Sequence, residues 1–587
     1  MSKSPTQDGQ AEARENEVDR WRHFLAVAQG QEPGDLLLRN ARMINVASGE
    51  IEPVNVVICD GRIAAIGDRD EGEQEIDLAG AYLAPSFIDG HVHVESSMLW
   101  IDQFARAVVP HGTGAVVTDP HEIANVAGLP GIEALMTASE ELPLGVFFTI
   151  PSCVPASPFE SAGAVMTPEV IAEALTLPRV VGLGEMMNFP GLLAGDPTIG
   201  EILTLPAPRR DGHAPGLRGS ALMAYIGSGI GSDHESTELE EAREKLRRGL
   251  MIMIREGSTE HNLLELLPLV DDETYPRCCF CSDDRDCATL LNDGHMDAVL
   301  RKAIGAGLDP VRAIRMATLA TAEYWRLTGF GQIAPGYQAN LVTFDRLEEI
   351  RPDLVFYQGE LVAQSGQSRF LPNSTVPSAL RDTIHISAPD EAAAEPVTIA
   401  DLRLPAPAGD AGPMVAVGAI PGQIVTRRVE VEPLVRDGEV LADPSRDLIK
   451  LVVVERHHAT GNIGRGLLHG FGLKAGAMAS SVAHDAHNIV AAGVDDADIL
   501  KAIRTVAEME GGLAAVRDGE VLATLPLPIA GILSPEPLEV VAAAHDRLEE
   551  VAHQLGSQVP APFGLLSFMA LSVIPEVRVT DRGLIEL

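Results

Sequence analysis

The sequence predicts an α/β protein built on a (β/α)8 TIM barrel, and three observations predict it. Between residues 84 and 330, eight short apolar runs alternate with helical patterns, the rhythm and roughly 250-residue size of such a barrel. Potential metal ligands end at least six of those eight runs, as polar residues do at the C-terminal mouth of a barrel. The stretches on either side, 31–83 and 331–387, carry β-patterns able to join into one composite β-sandwich. A doubly wound open sheet is the alternative topology.

The elements follow in order. Residues 1–30 read as a tail, disordered to about residue 16, and an amphipathic helix, "VDRWRHFLAVAQG", ending in Gly. The eight barrel strands are "SFIDGHVH", "GAVVTDPHE", "GVFFTIPSC", "VVGLGE", "RRDGHAPG", "GIGSDHES", "MIMIREGS" and "CCFCSDDR". The fifth is the most polar and the poorest buried strand. Residues 388–413 are rich in Ala, Pro and Asp and read as a linker. Residues 414–587 form a further α/β unit.

A formal net charge of -40 argues against nucleic acid or an anionic membrane as partner, because like charges repel. Six cysteines in 587 residues make no disulfide framework. Cys278, Cys279, Cys281 and Cys287 read as buried thiols rather than a zinc site, since alternation along a strand scatters their sulfurs. The N-terminus lacks a secretory apolar core, and no segment has the apolar length of a transmembrane helix, so the cytoplasm is the expected location. Self-association as a two-fold dimer is expected for an enzyme of this size.

The chemistry sits at the strand ends. His91 and His93 lie two residues apart, so a strand aims both imidazoles one way, half a metal site. Asp119, His121, Glu122, Glu185, His213, His234, Arg255, Asp283 and Asp284 end the other runs. Four imidazoles and two carboxylates exceed the three protein ligands of one catalytic zinc and suit two ions. Two cations need an anionic bridge. No lysine lies between Lys3 and Lys245 to be carboxylated for that purpose on an early strand, and Glu185 is the substitute. His91, His93 and Asp283 then hold one ion, and His213 and His234 the other. Ligands without thiolate favour iron or manganese, or zinc. Such ions lower the pKa of a water to roughly 7, and Asp283 takes its proton and passes it to the leaving group. Alternation puts only one of Asp283 and Asp284 inward.

The blocks "FIDGHVHVESSM", "VVTDPHEIANVAG", "GLGEMMNFPG", "GSGIGSDHES", "CSDDRDCATLLNDGHMDAVLRKAI" and "ERHHATGNIGRGLLHGFGLKAG" with "SVAHDAHNIV" resemble those of the amidohydrolase superfamily and, within it, the adenine deaminases. The resemblance spans nearly the whole chain. Its HxH is common to the superfamily; "HVHVESSM" and "RHHATGNIG" are more specific, although Ala459 stands where glycine is expected. It implies hydrolysis of adenine to hypoxanthine and ammonia in purine metabolism, with two divalent ions and a separate C-terminal domain. On that basis His121 orients the attacking water or stabilises developing charge, Asp283 and Glu185 act in catalysis, and Glu122, Arg255 and Asp284 contact the purine. A Glu122–Arg255 salt bridge at the rim is the alternative for that pair, and Glu95 supports the ligands from behind. Two other activities compete: a dihydroorotase- or hydantoinase-like cyclic-amide hydrolase, which usually employs the carboxylated lysine, and an inactive metal-binding barrel, which would have lost ligands. His457, His458, His484 and His487 form either a second metal cluster or a set packed at a domain interface or lining the mouth as a lid, and "GNIGRG" is a weak phosphate-loop candidate.

Overall fold

The computed structural model describes residues 7–386, 397–407 and 412–587. Of the expected linker, 388–396 and 408–411 therefore lie outside the described residues, as do residues 1–6 of the expected tail. The N-terminal helix spans Gln7–Ala28. Helix thus replaces the disorder expected up to residue 16, in keeping with the run of good helix formers in "AEARENEV".

All eight runs of the central region are strands. Phe87–His93, Thr113–Thr118, Gly145–Ile150, Val180–Met186 and Arg210–Gly212 pair in parallel, each with the next. Ser232–Asp233, Met251–Arg255 and Cys278–Cys281 form a second parallel set. The polar fifth strand is only three residues long. The eighth run breaks into two pieces at Ser282, and its second piece, Asp283–Asp284, pairs with Val92 and His93. The two sets adjoin where the Gly231 N–H donates to the Arg210 carbonyl at 3.0 Å. Spatial order follows chain order through both sets, without the reversal of a doubly wound sheet. The result is a curled parallel α/β sheet whose strand ends converge.

On one flank, Leu341–Phe344 pairs antiparallel with Tyr82–Pro85. This joins the segments before and after the central region, as their patterning predicts. They form a single hydrogen-bonded nine-stranded sheet, rather than two separately bonded layers. The long strand Gly34–Asn45 links them by pairing with three different partners.

The C-terminal unit centres on an eight-stranded sheet, with helices Asp496–Glu508 and Leu538–Gln554 packed on it. Its loop at Ser534 bonds to the backbone of Met98 and Trp100, just past the first strand of the curled sheet. Asp581 accepts from Ser161, and Asn488 donates to the Ser161 carbonyl. The unit is thereby seated over the convergent strand ends.

One buried acid in this unit makes stability depend on pH. Glu549 accepts the Phe563 N–H, and burial pushes its pKa up to about 8. The fold favours its protonated form, so its stability contribution is present below the unfolded value near 4.3 and is lost as pH rises through about 8. Glu549→Gln is therefore expected to gain a few degrees in Tm over the parent between about pH 5 and pH 9, read by calorimetry. A difference that stays flat across that range would contradict it.

Candidate active site

His91 and His93 leave the first strand on one face, both buried. The Nδ1–H of His91 donates to Asp211 at 2.7 Å, and that of His93 donates to the Asp119 carbonyl at 2.9 Å. Those partners assign the tautomers and leave both Nε2 atoms facing inward. The two Nε2 atoms stand 3.1 Å apart, and Asp283 Oδ1 is 3.1 Å from His93 Nε2 and 3.7 Å from His91 Nε2. Three lone-pair donors converge on one point, which is the arrangement a cation stabilises.

Glu185 stands beside them. Its Oε1 lies 3.3 Å from His93 Nε2 and 3.5 Å from His121 Nδ1, while Oε2 lies 2.6 Å from His213 Nδ1 and 3.2 Å from His234 Nε2. One carboxylate therefore faces two groups of imidazoles. Four sets of potential ligand atoms cluster here: His91, His93 and Asp283; His91, Glu185 and His234; His93, His121 and Glu185; and His213, His234 and Glu235. Both ring nitrogens of His234, Nδ1 of His121 and Nε2 of His213 are buried without a hydrogen-bond partner.

The electrostatics agree. Burial alone would raise the Glu185 pKa, yet the imidazoles of His213, His234 and His93 hold it well below the usual range. Burial opposes charge on His91, but the Asp211 hydrogen bond pushes its pKa up to about 9. Against the same burial, Asp283 and Glu185 push that of His93 well up. The carboxylates thus demand positive charge at the centre, which protons or cations satisfy equally.

The remaining residues divide. Arg255 donates to Asp283 Oδ2 at 2.7 Å and also to Glu235, so it does not pair with Glu122. Asp283 turns inward, whereas Asp284 accepts from Ser96 and is half-buried. Both oxygens of Glu122 are engaged, one by His484 Nδ1 and the other by His487 Nε2. Glu95 accepts the Ile123 N–H at 3.1 Å and so steadies the helix that begins at His121.

The four C-terminal histidines do not gather into one cluster. His457 bonds the Ala486 carbonyl and His458 the Ala162 carbonyl. The "GNIGRG" segment runs into the strand Ile463–His469 and opens no helix, so it has no phosphate-loop geometry. Cys278, Cys279, Cys281 and Cys287 are buried free thiols.

Sequence reasoning passed over three acids. Asp211 steadies His91, Glu235 joins His213 and His234, and Asp485 reaches in from the C-terminal unit to 3.8 Å from His121. The first two flank named histidines in "DGH" and "DHE". Asp485 had no local signal, since only folding brings it across. An apolar roof of Ile424, Phe568, Leu571, Val573 and Ile574, from the same unit, closes the cavity over the ligands.

Residues 82–364 match the amidohydrolase family, and residues 423–587 match the adenine deaminase C-terminal domain. An adenine deaminase of Dehalococcoides mccartyi is 52% identical over 565 residues, covering 96% of this chain and 97% of its own. One from Desulfatibacillum aliphaticivorans is 45% identical over 566 residues, with the same coverage. The chain belongs to the adenine deaminase family. "Adenine deaminase 2" of Carboxydothermus hydrogenoformans, at 44% identity, also covers 96% of this chain. The family match at 423–587 takes in His484, Asp485 and the roof, so the site draws on both matched regions.

Proposed function

We propose that this chain hydrolyses adenine to hypoxanthine and ammonia at a binuclear metal site. The observation that carries the reading is Glu185, one carboxylate set between two groups of buried imidazoles. The donor set fits two divalent ions: inward lone pairs on His91 and His93, unpartnered nitrogens on His213, His234 and His121, and carboxylates to balance charge. His91, His93 and Asp283 would hold one ion, His213 and His234 the other, with Glu185 between them. Bound there, iron or manganese (or zinc) supplies Lewis acidity and a water acidic enough to ionise near neutral pH.

The chain's own residues do the rest. Asp283, steered by Arg255, takes the proton from the attacking water and returns it to the departing ammonia. Attack at C6 of adenine puts charge on N1, where a proton must arrive; Glu235, beside His213 and Arg255, is placed to relay it. His121 orients the attacking water from its unpartnered Nδ1. Asp284 and Arg255 border the cavity on the substrate side, and the apolar roof excludes bulk water.

The two parallel strand sets are the halves of one (β/α)8 barrel, with the nine-stranded sheet as its composite β-sandwich partner. A two-fold dimer in the cytoplasm completes the proposal. A cyclic-amide substrate is disfavoured because residues 423–587, which supply the roof, match the adenine deaminase C-terminal domain.

The test is protein reloaded with manganese or ferrous iron and given adenine. A shift to the hypoxanthine spectrum with equimolar ammonia is expected. No turnover, with two ions per chain confirmed, would rule out adenine and direct the search to cyclic amides.

A further inference from the structure

His484 belongs to the C-terminal unit, far in sequence from every proposed metal ligand. Its Nδ1 is held by Glu122 at the head of the helix His121–Ala138. The other Glu122 oxygen takes Nε2 of His487, whose Nδ1 accepts the Ala483 N–H at 3.2 Å. An Nδ1 that accepts requires the hydrogen on Nε2, so His487 is a neutral donor and offers no lone pair to a metal. Glu122 is therefore a buried carboxylate with both oxygens spent on imidazole donors, and this cluster is not a third cation site.

His484 has a second constraint. Its ring stacks on Phe568, with centroids 4.6 Å apart and planes 12° from parallel. A carboxylate at Nδ1 and an aromatic face together fix both the tilt and the rotation of the imidazole. The ring is 9% exposed and borders the cavity over the ligands as well as the adjoining one lined by Ser96 and Ser480. Yet Nε2 bonds to no protein atom among the described residues. A ring held this firmly at the cavity wall, with a nitrogen that has no protein partner, is ready to meet a ligand.

We propose that His484, held by Glu122, is a substrate-binding residue that donates from Nε2 to a ring nitrogen of the purine remote from C6. The proposal rests on the adenine reading above. Adenine offers acceptors at N3 and N7 in the plane of its rings, and carbon at either position offers none. Burial opposes charge on His484, but the Glu122 carboxylate pushes its pKa up to about 9, so Nε2 carries a hydrogen at neutral pH. The C-terminal unit then does more than roof the cavity, because it supplies one of the polar contacts that orient the substrate. Glu122, which sequence reasoning placed on the purine, also lines the cavity and on this proposal holds His484 for the substrate.

The experiment compares the metal-loaded wild type with His484→Phe, which keeps an aromatic ring on Phe568 without the donor, and with His484→Gln, which keeps an amide donor. Each is assayed with adenine, 3-deazaadenine and 7-deazaadenine for KM or Ki, and metal content is measured alongside. His484→Phe is expected to weaken adenine by about 10- to 100-fold, mainly in KM, with metal content unchanged. It should not weaken one of the two deaza compounds, the one already lacking the accepting nitrogen. His484→Gln should recover part of the loss. Unchanged adenine kinetics in His484→Phe, or equal losses for all three purines, would overturn the proposal while leaving adenine deamination intact. An inactive wild type would overturn the adenine reading and this one with it.

Discussion

Glu185→Ala is expected to lose at least about 10³-fold in kcat, a loss on the scale of removing a group that stabilises developing charge, and to lose bound metal along with it. Each oxygen of Glu185 faces two imidazoles: Oε1 serves His93 and His121, and Oε2 serves His213 and His234. Its position is fixed independently, since Asp119 accepts the Glu185 N–H at 2.8 Å and Ser152 donates to its carbonyl at 2.7 Å. Truncation therefore removes the carboxylate without releasing the strand. At the proposed binuclear site the two cations would then face each other without a bridge, and one of them should leave. Metal analysis by mass spectrometry is expected to fall from two ions per chain towards one, with circular dichroism unchanged. Glu185→Gln keeps the shape but loses the charge, so it should resemble Ala in metal content. Retention of both ions and a tenth of the activity in Glu185→Ala would remove the bridging assignment.

Most of the curled parallel sheet was legible because a buried parallel strand is an apolar run and its end is where polarity starts. "VVGLGE" and "MIMIREGS" show this directly, and the structure ends their strands at Met186 and Arg255. The fifth strand was the least legible, and it is only three residues long. Its polar residues are spent on particular bonds: Asp211 on His91, and Arg210 on the Leu205 carbonyl. Period-two reasoning put His91 and His93 on one face. It could not show that Asp211, 120 positions later, would set the tautomer of His91.

The contribution of the C-terminal unit was opaque for a different reason. Asp485 and His484 sit in "SVAHDAHNIV", which taken locally is only a polar loop before a strand. Their meaning depends on Glu122, 362 positions away from His484. The same distance hid the partners of Glu122: an acid in the first turn of a helix looks free until His484 and His487 arrive from another unit. Resemblance to a family carried the activity. Periodicity and spacing carried the parallel strands and the pairing of His91 with His93 on one face. Neither named the apolar residues of the roof.

Lys245→Met is expected to destabilise the fold by about 3–5 kcal/mol, the usual cost of leaving buried charges without their partner. Lys245 is fully buried on the helix Leu239–Arg247, and its Nζ donates to Asp233 at 2.8 Å, Glu241 at 2.7 Å and the Ala214 carbonyl at 2.7 Å. Met matches the length and apolar stem, so little cavity is created. What changes is that two buried carboxylates lose the cation between them. The consequence should extend to the site, because Ala214 follows His213 and Asp233 precedes His234. Asp233 Oδ1 also accepts the Ala214 N–H at 3.1 Å, so this one network ties together the loops that carry both histidines. Weaker metal retention is thus expected with the lower Tm, even though Lys245 touches no proposed ligand. Asp233→Asn with Glu241→Gln in the same chain should recover much of the stability, since no unpaired charge then remains. A Tm for Lys245→Met within a degree of the parent would mean that water or a rearranged partner compensates, and the coupling to His213 and His234 would fall with it.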